Sequence, residues 1–370
     1  GYQTMQGFTT GQYNFIGGYR AGYSLSTGNY NIYIGTFAGY GKTTATGNVA
    51  IGYNSNKSGT SAGTNVAIGY DSATVTTLND GVWIGANANK LGTGGGGGVI
   101  VGHYAGYYAQ GSQMVHVGQN AGRYASGSHN VFVGRNAGQG GTTSAPYSSG
   151  TQNVAIGAYA LDAFTDGIRN VAIGHEALST STGADYNQAI GYRALYNVNT
   201  GGQNTAIGHE VGLQLTSGGQ NIAIGYHAGY NNQTGVYNVH IGVQAGYGAS
   251  GNSANSNTAV GWRSMYSIGT GGNNVAMGTN SMAGGVGAAN QVAIGTEALY
   301  SATSGLANVA VGYRAAKALG NAENENIAIG YHTMYLMDEG SGANVDENIA
   351  IGSFAMQGKD LGSASTDITR

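Results

Sequence analysis

Twenty times along 370 residues a short apolar segment ends in glycine, and most of these glycines follow one another at intervals of 16 or 17 residues. A period this regular constrains the fold more than any composition does. A repeat so short cannot bury a face alone and must stack on its neighbours. Counting from the closing glycine, position −1 is Ile, Val or Met in 19 of 20 repeats, and position −3 is apolar in 17 of 20. Position −2 is Ala in 13 repeats, position −4 is Asn in 16, and position +3 is small except at Val211. Gly-rich chains are often disordered, but a disordered chain has no such positional chemistry.

The interval is too short for a pair of helices, and Val-x-Ile pairs favour β structure. An all-β chain is therefore expected: a parallel β-solenoid (β-roll) of about 17-residue coils over residues 1–357, with 358–370 as a tail or cap. Each coil is expected to hold two short strands and two turns, stacked about 4.8 Å apart, so that some twenty coils make a rod on the order of 100 Å long. Val and Ile two residues apart point the same way and are assigned to the interior, with Ala at −2 facing out. An outward face of Ala calls for a second burial, which a symmetric homotrimer supplies. Tyr33, Trp83, His116, Phe132 and His240 share that outward position and crowd such an axis. Leu161, Leu178, Leu195, Met265 and Met282, at +4 where other coils carry Gly, are read as plugs of a wider turn. Asn48, Asn65, Asn153, Asn170, Asn187, Asn204 and Asn221 fall at −4 and are expected to stack as an amide ladder.

The segment Asn48-Val49-Ala50-Ile51-Gly52, repeated at 153–157 and 170–174, resembles the head repeat of trimeric autotransporter adhesins of the YadA type. The longer form at 221–230 is similar to repeats of phage tail fibres and related bacterial surface proteins. The resemblance covers nearly the whole chain. It implies a trimeric parallel β-roll that lies outside the cell, on a virion appendage or a bacterial surface, and binds a host molecule.

Chemistry is sparse. The net charge is −3, and the 13 Lys and Arg residues are scattered singly, which gives no footprint for nucleic acid. Without cysteine there are no disulfides or thiolate metal sites, and no apolar run is long enough to span a bilayer as a helix. His103, His175 and His209 share position +1, often Tyr elsewhere, and His175 and His209 lie two coils apart, too far to share a metal. Glu176 and Glu210 are likewise two coils apart. The run 94–98 has no Lys-Ser/Thr continuation and is no phosphate loop. No catalytic residue, cofactor or metal is expected.

Recognition is instead expected where the repeat is broken. Two coils are enlarged, at Gln139–Thr151 and Met337–Glu347, and insertions in a solenoid emerge as surface loops. Tyr147 in the first and Asp338, Glu339, Asp346 and Glu347 in the second are the candidate contacts. Tyr23, Tyr40, Tyr107, Tyr230 and Tyr247 should form aromatic stripes, suited to stacking on one another or on sugars. The function expected is a non-enzymatic fibre shaft of tail-fibre type that partners copies of itself and a cell-surface glycan or protein receptor. An autotransporter adhesin head and a self-assembling extracellular filament subunit, stacked end to end, are the alternatives.

Overall fold

The computed structural model describes residues 1–58, 63–75, 79–93, 96–141, 144, 147–319, 323–336 and 345–357. The chain divides into two compact units, Gly1–Tyr186 and Asn187–Arg370. Each is a parallel β-solenoid. The first contains ten three-residue strands from β1 (Phe15–Gly17) to β10 (Val171–Ile173), and the second ten from β11 (Gln188–Ile190) to β20 (Ile349–Ile351). Within each unit every strand pairs in parallel with the next, in register: Val154 sits beside Val171, and Thr205 beside Ile222. Gly17 pairs with Ile34, which fixes Gly18 as the closing glycine of the first strand.

The closing glycines form a column. Gly157 has φ 135°, and a Cβ there would lie 2.5 Å from the carbonyl oxygen of Gly174; at Gly225 the same atom would lie 2.6 Å from that of Gly242. Any side chain would force the coils apart, so glycine is required by contact as well as by backbone conformation.

The strand faces are the reverse of the sequence expectation. Ala at −2 is buried: Ala172, Ala206 and Ala259 are 0% exposed. Val and Ile at −3 and −1 point outward, with Ile207 at 38% and Ile222 at 41%. The reason is parity. Alternate residues of a strand share a face, and Asn at −4 must be inside because its amide satisfies backbone there; Ala at −2 follows it in. Tyr33, Trp83, His116, Phe132 and His240 are accordingly core residues, all 3% exposed or less.

Those large residues fit because position +4 also enters the core. Gly39 faces Tyr33, where an added Cβ would come within 2.6 Å of the ring, and Gly138 faces Phe132 at 2.5 Å. Gly122 and Gly246 face His116 and His240 in the same way. Coils with Ala at −2 often carry Leu or Met at +4 instead, and Leu161, Leu178, Met265, Met282 and Leu299 are fully buried. The larger +4 side chains are therefore not plugs of a turn. They fill the volume that Ala leaves, one large residue against one small, as close packing requires.

The opposite side of the coil is not a second strand either. Non-glycine residues at +2 and +4 take left-handed φ values, as in Glu176 (56°) and Leu178 (50°), or Arg263 (53°) and Met265 (51°). Each such residue costs about 1–2 kcal/mol. In return the amides point alternately along the stack: Glu210 N–H donates to Tyr192 one coil back (2.8 Å), and Gly212 N–H to Ala228 one coil on (3.0 Å).

Inside each unit the Asn residues form rungs. In the first, the Asn48 side-chain oxygen accepts from Asn65 N–H (3.1 Å), and that of Asn153 from Asn170 N–H (2.9 Å). In the second, Asn204 Oδ1 accepts both the backbone N–H and the side-chain amide of Asn221 at 3.0 Å, while Asn187 Oδ1 does the same for Asn204. The amide nitrogens also donate to backbone carbonyls across the coil, Asn187 to Gly201 and Asn221 to Gly235. These are buried, fully engaged groups, and removing one strands its partners.

Two outcomes are expected from urea unfolding. Asn204→Ala should cost about 2–4 kcal/mol, because it leaves two donors of Asn221 without their acceptor. Gly122→Leu should be strongly destabilising beside His116, and His116→Ala in the same chain should restore much of the loss by creating an Ala/Leu coil; an additive double variant would contradict the volume exchange.

Candidate functional site

Three outer features stand out on the surface. The first is the Val/Ile face. Two aliphatic side chains per coil line it, with Ile156, Ile190, Ile241, Ile294 and Ile329 each 36–39% exposed. Gln188, Thr205 and Thr258 are the polar interruptions at −3. Contiguous exposed apolar stripes, where they are large, mark interaction surfaces.

The second is the set of aromatic columns. Tyr230, Tyr247 and Tyr266 occupy +5 in three successive coils, and their rings stack at 5.1 Å with planes 9–12° apart. Tyr23 and Tyr40 stack at 5.0 Å in the first unit. Much of the tyrosine is thus engaged within the columns. The Tyr230 column is interrupted at Ala283 by a residue with almost no side chain, and Tyr300 restores the residue type two coils beyond Tyr266. Above Ala283 lies an open cavity of about 490 Å³, lined by Arg263, Tyr266, Asn280 and Tyr300 together with the hydroxyls of Ser267 and Ser301. Arg263 is held over Tyr266 at 4.9 Å, with its Nε donating to Gln244 at 2.8 Å. Rungs two coils apart lie about 9.6 Å apart, so a single flat ring fits between them at the spacing the column itself uses. The loop-based reading missed this slot; the sequence signal for it is a missing rung, Tyr-Tyr-Ala-Tyr at one coil position.

The third is the +1/+2 surface, where His209, Glu210 and His227 converge, their donor atoms within 4.8 Å of one another. The His175–His209 pairing considered from sequence is not the relevant one. His209 meets a histidine one coil and one position further on, in a neighbouring column.

The loop candidates behave differently from expectation. Tyr147 does not project; its ring stacks on Tyr108 at 4.5 Å and lies 6.4 Å from Tyr124. Asp346 accepts the backbone N–H of Asn324 at 2.6 Å and so serves as a turn cap, and Glu347 donates its own N–H to Asn324. Asp338 and Glu339 lie outside the described residues, as does the tail from 358. Among the described residues, the acidic groups near the C-terminus form no metal-ligating cluster.

No family model matches the chain, and no curated protein matches it.

Two histidines are in the core rather than on any site. Burial pushes His116 down to about 3 and His240 down to about 4, from 6.5. Both ring nitrogens of His116, and Nε2 of His240, have no hydrogen-bond partner among the described residues. The folded chain holds both rings neutral. As pH falls below about 6.5 the unfolded chain takes up protons that the folded one refuses, and stability declines until the folded values near 3–4 are reached. Each ring contributes a slope of up to about 1.4 kcal/mol per pH unit in that window. In denaturation series at pH 7.5 and 5, His116→Phe should lose less stability on acidification than the parent chain. Phe132 already fills the same position one coil on.

Proposed function

We propose that the chain is a non-enzymatic structural shaft of a fibre outside the cell, of virion tail-fibre type. Copies of it associate through the Val/Ile face, and a surface glycan is recognised through the slot above Ala283. The observation that carries the first part is the outward Val/Ile ladder. Within each unit, a stripe that presents up to two aliphatics per coil, on a backbone with a fixed coil spacing, offers a complementary surface to further copies of itself. Three copies around an axis close such a surface without leaving an open edge. The sequence-based case for a trimer rested on outward Ala crowded by Tyr33, Trp83 and their like. With those residues inside, the face that remains is aliphatic apart from Phe15, Gln188, Thr205 and Thr258, which favours close association. An adhesin head built on the same coils would use the same face.

The slot supports the second part. Tyr266 and Tyr300, two coils apart and lining one cavity, offer aromatic surface suited to the apolar face of a pyranose. Asn280, Ser267, Ser301 and Arg263 supply donors and acceptors at its edge, as a saccharide requires.

Light scattering on the intact chain should show an oligomer of fixed stoichiometry, three chains. Ile207→Asp with Ile224→Asp should lower the mass to that of one chain while β-structure persists by circular dichroism. A monomer at tens of micromolar concentration would overturn the association. In a glycan array, binding by the parent chain should be lost in Ala283→Tyr, which supplies the missing rung, while its oligomeric mass is unchanged. Undiminished binding by that variant would overturn the slot.

A further inference from the structure

We infer that His209, Glu210 and His227 form a binding site for a divalent transition-metal ion of the zinc class. The three side chains come from two successive coils of the second unit. His209 and Glu210 are at +1 and +2, and His227 is at +2 one coil on. Glu210 Oε2 and His227 Nε2 are already 2.9 Å apart, and one donor atom of each of the three side chains lies within 4.8 Å of the other two. A zinc ion bound at about 2.0–2.2 Å holds its ligands roughly 3.4 Å apart. Closing the set therefore needs a shift of His209 by about an ångström, with the Glu–His pair opening slightly.

The donor set selects the ion. Two imidazoles with one carboxylate suit zinc and its neighbours, whereas calcium and magnesium take oxygen donors. The side chains of His227 and Glu210 are 16% and 18% exposed, shielded but reachable, and His209 is exposed. Three protein ligands leave a fourth position open to water or to a donor from a bound molecule.

Two features distinguish this place from the rest of its column. Elsewhere at +2 in the same unit, an acceptor is matched with a fixed cation or its like: Glu297 Oε2 with Arg314 Nε at 2.7 Å, Gln244 with Arg263 at 2.8 Å. At Glu210 the partner is an imidazole, whose ring nitrogen can ligate a metal through its lone pair. In addition the His209 ring is held between Tyr192 (4.9 Å) and Tyr226 (5.3 Å), and the His227 ring lies on Tyr226 at 3.8 Å. Stacking on both sides restrains the imidazoles and reduces what ordering them for a ligand would cost.

The test is calorimetric titration of the intact chain with zinc chloride, alongside His209→Tyr, His227→Gln and the double variant. These substitutions install residue types that the same columns already use, at Tyr192, Tyr226 and Gln244, so the coil is kept; circular dichroism checks it. The expected result is one zinc ion per chain, at least about tenfold weaker in each single variant and absent in the double, with calcium and magnesium failing to compete. No saturable binding by the intact chain, or one-to-one binding that survives in the double variant with less than a tenfold loss, would falsify the site.

Discussion

Everything in this molecule depends on how closely one coil can approach the next. The glycine column sets that distance, since the Cα of each closing glycine rests against the carbonyl of the glycine one coil on, with no room for a methyl group. With the distance fixed, equivalent residues lie on top of one another within each unit. Chemistry that is weak once then acts many times in line. The Asn rungs illustrate this, because each amide both receives from the coil after it and donates across its own coil. Such bonds are modest singly, at about 0.5–1.5 kcal/mol, but each is buried and none can be lost without stranding a partner.

Close stacking also makes the interior narrow, and the narrowness explains the exchange between −2 and +4. Between positions −2 and +4, at most about one large side chain fits per coil. Phe132 with Gly138 and Ala172 with Leu178 are two solutions to the same volume. Because the exchange is settled inside, the backbone and the outer columns are unaffected by it. Residues at +1, +2 and +5 are then free to vary. Their variation produces the aromatic columns, the Glu297–Arg314 pair, the gap at Ala283 and the His209–Glu210–His227 cluster on one repeated frame.

The repeat itself was legible in the sequence, and with it the all-β class, the parallel stacking and the coil length. The spacing of Gly, Asn and Ala leaves no other arrangement for a chain with no helical period. What it did not yield was direction. Hydrophobicity alone places Val and Ile inside; the cue that they are outside is that Asn at −4 and Ala at −2 share a face, and buried amides needing partners override the preference of aliphatics. The left-handed run at +2 and +4 was equally hidden, since Glu176, Leu178 and Arg263 are residues that rarely take positive φ on their own. Tyr147 and Asp346 were read as projecting because they interrupt the period, yet the nearest column and the nearest orphan amide capture them. The His209–His227 contact is diagonal, joining neighbouring columns, and the repeat of a single column does not reveal it.

The orientation of the strand is the claim on which the fold and the proposed association both stand, and the absence of cysteine makes it directly measurable. Single cysteines at Ala259 and at Val260, adjacent residues of one strand, can be labelled with a small thiol reagent over a range of protein concentrations. With Ala inside, the thiol at 259 should stay protected at every concentration and react only on global unfolding. The thiol at 260 should react in the folded chain, and under the proposed association its reactivity should rise on dilution. The reverse order, a reactive 259 beside a protected 260, would contradict the inward Ala column and the account built on it.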